Sequence, residues 1–290
     1  MRRWIIGLLC GVALVAVGGC SFVRLGYNQA HELAYWWLDR HVDFDSAQSP
    51  RVRDALGQWF AWHRREQLTD YVRLLARAQT EVQAPMTAAQ VCAWYDEGRS
   101  RARIAFEHAL PAIAELATTL TPRQVENVER RHAKVNAEYR EEVLQADPAK
   151  RRKAALKRGV ERAEMVYGKL DAAQRERLGE ALAQSPYDPE RSFAQRRRSQ
   201  QDAVQIFRQA AGIDAAGRKA TQDALAAYAL AMQQPAAADA RRYSEEVTRY
   251  NCALIAGLHN GTTPEQRRHA ADILADWSGD LRYLAAEARR

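Results

Sequence analysis

The sequence has few cysteines and few glycines, and it contains none of the short motifs that mark common catalytic sites. Only 4 cysteines and 15 glycines occur among its 290 residues. No Cys-x-x-Cys pair is present, so thiol redox catalysis has no candidate centre. His-Glu-x-x-His, Gly-x-Ser-x-Gly and a glycine-rich phosphate loop are also missing, which leaves metalloproteases, serine hydrolases and nucleotide-binding proteins without their usual signatures. These absences favour a protein that acts by binding over an enzyme.

The sequence also lacks runs of β-branched residues that alternate with polar ones, so it contains no clear strand. Past residue 26, apolar residues recur at intervals of three and four, as on one face of a helix. Such stripes cover Val52–Ala78, Val125–Val143, Tyr243–Leu258 and Ala270–Leu284. Each stripe needs a surface to pack against. The sequence therefore predicts an all-α fold, an elongated multi-helix bundle that forms a single domain over residues 29–290.

Helix boundaries are marked by loop-forming residues and by proline. Loops are predicted at Ser185–Glu190, Gly212–Gly217 and Gly257–Thr263. Pro111 lies inside an otherwise helical stretch, where the missing N–H predicts a kink or a break.

A Thr/Asp-x-x-Gln pattern recurs at four places. It begins at Thr87, Thr121, Asp171 and Thr263, and proline follows the threonine in two of the four. In a capping box of this type, the Thr or Asp oxygen accepts a hydrogen bond from the N3 amide, and the Gln side chain reaches back to the N-cap amide. Each pattern therefore predicts a helix start.

The N-terminal residues have the order of a secretory signal. A short basic start precedes the apolar run Trp4–Val17, and small residues then lead into Cys20. The run is too short for a comfortable membrane span, which needs about 20 residues. The small residues before Cys20 resemble the lipobox that the lipoprotein signal peptidase reads.

This order predicts a lipoprotein signal peptide over residues 1–19, a lipid on Cys20 and a lipidated tether over residues 20–28. The alternative is an uncleaved N-terminal anchor helix. Ser21 follows the cysteine, and the Asp that signals inner-membrane retention in similar lipoproteins is absent. We therefore expect a periplasm-facing protein anchored in the outer membrane, with the membrane as its first partner.

The charge balance is basic, with 43 Lys and Arg against 36 Asp and Glu. Because export argues against a nucleic-acid partner, acidic partners in the envelope are expected instead: lipid headgroups, anionic saccharides or acidic stretches of unfolded chains. The basic clusters Lys150–Lys153, Lys157–Arg158 and Arg196–Arg198 are either solvated faces or a surface for anionic lipid or acidic protein. No cofactor is predicted.

Two cysteines remain after export and lipidation, Cys92 and Cys252. In an oxidising compartment an even pair predicts one disulfide. The alternative is two buried thiols that never meet.

The segment Tyr35–Arg65 is dense in tryptophan and in charge. Its candidates for binding a partner protein are Trp36, Trp37, Asp39, Arg40 and Trp62. Adjacent tryptophans on a helix cannot both face one core, so one of the first two is expected to face the membrane or a partner. The alternative is that the aromatics form core and that Asp–Arg pairs lock the N-terminal helix to its neighbour.

A metal site has one partial candidate. Glu129 and His132 form a Glu-x-x-His pair, whereas a di-iron carboxylate bundle needs two such pairs and two further Glu residues. No metal ligands are therefore assigned. A metal-binding sensor or an unrecognised enzyme in the helical core remains the alternative to a non-enzymatic protein that binds or chaperones envelope proteins.

Two resemblances support the envelope assignment. Residues 25–29, 35–40, 42–44, 51–53, 59–64, 68–71 and 259–267 resemble a family of proteobacterial lipoproteins of unknown function, with the signature Tyr-Trp-Trp-Leu-Asp-Arg at residues 35–40. That resemblance implies export and lipidation, and it implies no reaction. The boxes at residues 120–124 and 170–174 resemble the paired Leu-Thr-x-x-Gln motifs of the Spy/CpxP-like periplasmic proteins, some of which chaperone unfolded envelope proteins.

Overall fold

The computed structural model describes residues 22–213 and 215–289, and within them the chain forms helices joined by short loops and turns, with no strand. The prediction of an all-α, multi-helix fold is confirmed. The helices, in chain order, are α1 (Phe22–Asn28), α2 (Ala30–Val42), α3 (Gln48–Trp62), α4 (Leu68–Glu81), α5 (Ala88–Thr118), α6 (Pro122–Val143), α7 (Pro148–Tyr167), α8 (Ala172–Ala183), α9 (Pro189–Ala210), α10 (Ala215–Gln233), α11 (Ala238–Asn260) and α12 (Pro264–Glu287).

Four of the helices begin at the predicted capping boxes. In each box the Thr or Asp side chain accepts a hydrogen bond from the amide of the Gln three residues later, and the Gln side chain accepts one from the cap amide. Two polar backbone groups at each helix start are thereby satisfied. The prediction of these four helix starts from the sequence is confirmed.

The glutamine of one capping box also bonds to the glutamine of another, which ties distant helices together. Gln174 and Gln266 exchange two hydrogen bonds through their side-chain amides, at 2.7 and 3.0 Å. Gln174 Nε2 also donates to the carbonyl of Gly261, and Gln266 Nε2 donates to the carbonyl of Lys169. Each amide thus bonds to the carbonyl two residues before the other helix's cap. We call this arrangement a crossed capping box.

The same arrangement occurs a second time, at the start of α3 and α6. Gln48 exchanges hydrogen bonds with the Asp45 backbone amide and carboxylate, as in an Asp-x-x-Gln box, and its amide pairs with that of Gln124. The amide of Gln48 donates to the carbonyl of Thr119, two residues before Thr121, and the amide of Gln124 donates to the carbonyl of Asp43, two residues before Asp45. The α2–α3 and α6 region is therefore joined in the same way as the α7–α8 and α12 region.

The hydrophobic core is divided into small clusters along the helix interfaces of the described residues. One cluster joins α4 to α12 through Leu68 and Leu284, which are both fully buried. A second joins α6 to α9, and a third joins α2 to α3. Since each cluster holds no more than four buried hydrophobic residues, the fold depends on many small contacts spread along the chain.

The disulfide is present. Cys92 on α5 and Cys252 on α11 are bonded, with their Cα atoms 5.4 Å apart. The bond lies in a buried cluster with Val91 and Ala256. The alternative of two separate thiols is wrong, and the bond links helices that are 160 residues apart in the chain.

The predicted interruption at Pro111 does not end the helix, since α5 continues through it from Ala88 to Thr118. The predicted loops at residues 185, 212 and 257 are shorter than expected, because α9 begins at Pro189, α10 at Ala215 and α11 ends at Asn260. At Pro111, helix propagation outweighs the local preference of proline. Pro189 instead lies in the first turn of α9 behind the Asp188 cap, where proline is favoured.

The predicted tether is also shorter than expected. Residues 22–28 form α1, which packs against α12, and Arg24 Nε lies 2.7 Å from Asp280 Oδ1. Cys20 and the signal sequence lie outside the described residues. Among the residues that the structure describes, no helix is both long enough and apolar enough to cross a membrane.

The single face predicted from Val52 to Ala78 is interrupted. A π turn at His63–Gln67 separates α3 from α4 and adds one residue to the helical register. Leu68, just after the turn, is fully buried against α12. The turn therefore redirects the apolar face of α4 towards the C-terminal helix.

Candidate functional site

The two adjacent tryptophans of α2 are both on the surface. Trp36 is 66% exposed and Trp37 is 61% exposed. Trp62 is different, since it is buried, stacks on His108 with ring centroids 3.7 Å apart, and donates from its indole N–H to Glu66. Only 9% of Trp62 is exposed, so it offers a partner far less surface than Trp36 or Trp37 does.

The charged candidates have separate roles. Asp39 accepts a hydrogen bond from the Phe44 amide, so its carboxylate stabilises the turn that follows α2. Arg40 is exposed and makes no ion pair within the described part of the chain. An ion pair does link α2 to α3, but it joins Arg53 to Glu32 rather than to an aspartate. The Arg53 guanidinium also lies 3.6 Å over the Tyr35 ring.

Trp37 forms part of the wall of a large groove, which we call the basic groove. It has a volume of about 960 Å³ and is lined by residues of α2, α5, α6, α9, α10 and α11. That volume is at the upper end of the roughly 300–1,000 Å³ that is typical of ligand sites. The Cys92–Cys252 disulfide joins two of these helices, α5 and α11. Cys252 itself lines the groove.

Arginine dominates the charged lining of the groove. Arg131, Arg191, Arg196 and Arg198 line it, against two carboxylates. Arg191 pairs with Asp239 at 3.5 Å. The other three make no ion pair among the described residues, so no carboxylate of the described chain neutralises their guanidinium charges.

The arginines are held by neutral groups rather than by carboxylates. Arg196 Nε donates to Asn136 Oδ1 at 3.1 Å, and Arg198 donates to the side-chain oxygen of Gln195 at 3.0 Å. Arg131 Nε is buried and has no hydrogen-bond partner in the described structure. A buried donor without a partner costs about 1–3 kcal/mol. Such a donor beside a groove indicates a place for an acceptor from a ligand.

Histidine and tryptophan form one end of the groove. The Trp37 ring packs on His41 with centroids 4.3 Å apart, and His41 Nδ1 donates to the Trp37 carbonyl at 2.7 Å. Burial, together with the positive charges of His41 and Arg196, lowers the pKa of His132. His132 therefore adds less positive charge to the groove than an ordinary imidazole would, and the permanent positive charges of the lining are those of its arginines.

The groove also carries apolar surface. Five of its lining residues are exposed large hydrophobic side chains: Trp37, Tyr95, Tyr187, Met232 and Ile255. Burial and the nearby Asp202 carboxylate raise the pKa of Tyr228, a further aromatic of the wall, so its hydroxyl stays protonated and can donate a hydrogen bond. Arginines beside aromatic and aliphatic side chains match a ligand that is both acidic and apolar.

The partial metal motif does not assemble a ligand set. Glu129 pairs with Arg208 at 2.6 Å, and the described residues hold no group of three or more His, Cys, Asp or Glu side chains placed to share a metal ion. His132 of the same motif faces the basic groove.

Sequence reasoning missed the groove as a whole, although parts of it carried a signal. Arg196 and Arg198 belong to a basic cluster for which an acidic partner was one of two interpretations. Arg131, Tyr228 and Ile255 gave no local signal, because they come from three helices that only the tertiary fold brings together.

Comparison with known proteins gives one match. A family model described as a family of unknown function, DUF6279, matches residues 40–225. The match includes the α6 and α9 walls of the basic groove, and it ends before α11. No curated protein and no solved structure shows significant similarity to the chain.

Proposed function

The chain belongs to the DUF6279 family, and because the function of that family is unknown, we propose one from the basic groove. The protein is an envelope lipoprotein that acts by binding, and the groove captures an acidic, partly apolar segment of another envelope protein. The observation that carries this proposal is the set of arginines without carboxylate partners beside exposed aromatic and aliphatic side chains.

A peptide segment fits the groove better than a saccharide does. Met232 and Ile255 present exposed aliphatic surface, which a hydrated sugar does not match but a Leu or Phe side chain does. A guanidinium without an ion-pair partner can donate two parallel hydrogen bonds to the carboxylate of an Asp or Glu residue. An extended chain that alternates acidic and apolar residues would satisfy both features.

The cellular setting of the proposal comes from the sequence. A lipid on Cys20 would hold the protein on the periplasmic face of the outer membrane, where unfolded or partly assembled envelope proteins are the available partners. Cys20→Ala is expected to release the protein from the outer-membrane fraction. A Cys20→Ala protein that still fractionates with the outer membrane would contradict the lipid anchor.

The groove is tested by selecting peptides and then by changing one charge at a time. From a random 12-residue peptide library, the protein should select sequences enriched in Asp or Glu together with Leu, Ile or Phe. Arg196→Gln should weaken the selected peptides about tenfold or more, the effect of losing one charge-assisted hydrogen bond. Arg197→Gln is the matched control, because Arg197 is adjacent, exposed and outside the groove lining.

Two results would refute the groove as the binding site. Selection of basic or purely polar peptides would show that the arginines do not recognise the ligand. Equal binding by the Arg196→Gln and Arg197→Gln proteins would show that the peptide binds elsewhere.

A further inference from the structure

A second exposed surface lies on the two N-terminal helices and faces away from the rest of the molecule. We propose that this surface, formed by Leu25, Leu33, Trp36 and Arg40, rests on the lipid bilayer in which the protein is anchored. The proposal rests on the membrane anchoring in the proposed function, and it does not depend on what the basic groove binds.

The two helices form one nearly continuous rod. The Gln29 amide donates to the Leu25 carbonyl at 3.3 Å, and the Leu33 amide donates to the Gln29 carbonyl at 3.0 Å, so hydrogen bonds bridge the junction. Leu25, Gln29, Leu33, Trp36 and Arg40 follow one another at intervals of four, four, three and four residues. Such spacing places them on one face of a helix that turns about 100° per residue.

This face is exposed and unusually apolar for a surface. Leu25 is 60% exposed, Leu33 is 56% exposed and Trp36 is 66% exposed. The opposite face packs inwards, where Tyr27 stacks on His63 and Tyr35 joins the cluster with Phe44 and Val52. The exposed apolar residues of α1 and α2 are therefore not the edge of a core.

The carboxylates near this face are held by other groups. Glu32 pairs with Arg53, and Asp39 accepts a hydrogen bond from the Phe44 amide. Arg40 remains at the end of the stripe without an ion-pair partner in the described structure. Leucine and tryptophan with a basic residue at the end are the side chains that favour the boundary between headgroups and acyl chains.

The sequence places the membrane beside this face. Cys20 is two residues before Phe22, so a lipid on its side chain is separated from the start of α1 by at most about 7 Å of chain. The alternative anchor, the uncleaved apolar run, ends at Val17 and also lies within a few residues of α1. Either attachment brings α1 and α2 to the bilayer surface.

Adjacent tryptophans then serve two different surfaces. Trp36 lies in the centre of the stripe, whereas Trp37 is rotated by about 100° towards the basic groove and stacks on His41. Bilayer contact through Trp36 would hold the groove beside the membrane, in a fixed orientation.

The experiment uses the full-length protein, isolated with its native anchor and reconstituted in phosphatidylethanolamine and phosphatidylglycerol vesicles. An environment-sensitive fluorophore is attached to Leu33→Cys, and Met165→Cys is the control, because Met165 is 65% exposed on α7. Some lipids carry a nitroxide near the headgroup end of the acyl chain, which is the depth that an interfacial helix reaches. These lipids should quench roughly half of the fluorescence of the label at position 33. The fluorescence at position 165 should stay unchanged.

Each contrary result has a distinct meaning. A position-33 label that iodide quenches from water, as strongly as at position 165, overturns the bilayer contact. A label protected from both iodide and nitroxide lipids shows that protein covers the face, which also overturns it. A protein that does not remain with the vesicles refutes the anchor of the proposed function and this inference together.

Discussion

Gln174→Ala is expected to be among the most destabilising substitutions of a polar residue, because it removes one half of a crossed capping box. The Gln174 side chain is 2% exposed. The substitution leaves three groups without their partner: the Asp171 amide, the Gly261 carbonyl and the side-chain amide of Gln266. At about 1 kcal/mol for each group, the free energy of unfolding should fall by about 3 kcal/mol. For a chain of this size that corresponds to a decrease in Tm of roughly 6–12 °C.

The chain contains a matched control for this prediction. Gln90 closes a capping box with Thr87 but is exposed, and its side chain makes no hydrogen bond to another helix within the described part of the chain. Gln90→Ala should therefore cost only about 0.5–1 kcal/mol. Urea unfolding of both variants with the disulfide intact measures the difference. A double-mutant cycle that combines Gln174→Ala with Gln266→Ala should give a coupling energy of about 1 kcal/mol or more. Equal losses for Gln90→Ala and Gln174→Ala would refute the role of the crossed box.

Three further predictions concern the disulfide, the tryptophans and pH. Replacing Cys92 and Cys252 together by Ser should lower the free energy of unfolding by up to about 5 kcal/mol in urea, since the bond closes a loop of 160 residues; alkylation of both thiols in the native, non-reduced protein would contradict the bond. Trp62→Ala should cost about 3–5 kcal/mol and Trp37→Ala less than about 1 kcal/mol by the same measurement, because only the first is buried; similar losses would contradict the assignment. Burial lowers the pKa of His63 to about 4, so the unfolded chain binds a proton below about pH 6.5 that the folded side chain does not accept. Stability should therefore fall as the pH decreases from 6.5 towards 4, less steeply for His63→Gln, and an unchanged slope in that variant would contradict the burial of a neutral imidazole.

Local signals were read correctly from the sequence. The capping boxes at Thr87, Thr121, Asp171 and Thr263 depend only on residues within one turn, so their geometry follows from the pattern. The Cys92–Cys252 bond was also predictable, because these two are the cysteines left once Cys10 is assigned to the predicted signal peptide and Cys20 to the predicted lipid. The pairing of Gln174 with Gln266 was not predictable, since it depends on how two helices 92 residues apart approach each other.

Features that depend on packing were misjudged for the same reason. Trp37 and Trp62 lie in one aromatic segment, and the sequence around each gives no indication of its burial. Trp37 is exposed, whereas Trp62 stacks on His108. The π turn at His63–Gln67 changes which side of the helix meets the core, and Leu68, directly after it, packs against Leu284 of α12. Intrinsic preferences decide where helices start, whereas packing decides which faces remain free.

The central claim of the proposal is that two exposed surfaces have separate roles, the first towards the membrane and the second towards a partner protein. In the proposed arrangement, the α1–α2 face is turned to the bilayer, and the basic groove is left open for a partner segment. The same helix α2 contributes Trp36 to the first surface and Trp37 to the second. Loss of one surface by substitution is therefore expected to leave the other intact.

The most direct test of the central claim is to locate a bound peptide by photo-crosslinking. An acidic, apolar peptide selected by the protein carries a benzophenone at its centre, and mass spectrometry identifies the residues that it labels. The account predicts labels on the walls of the basic groove, at positions such as Tyr243 and Ile255, and loss of these labels in the Arg196→Gln protein. Labels confined to α1 or to the exposed side of α7 around Met165, or labels that persist unchanged in Arg196→Gln, would contradict it.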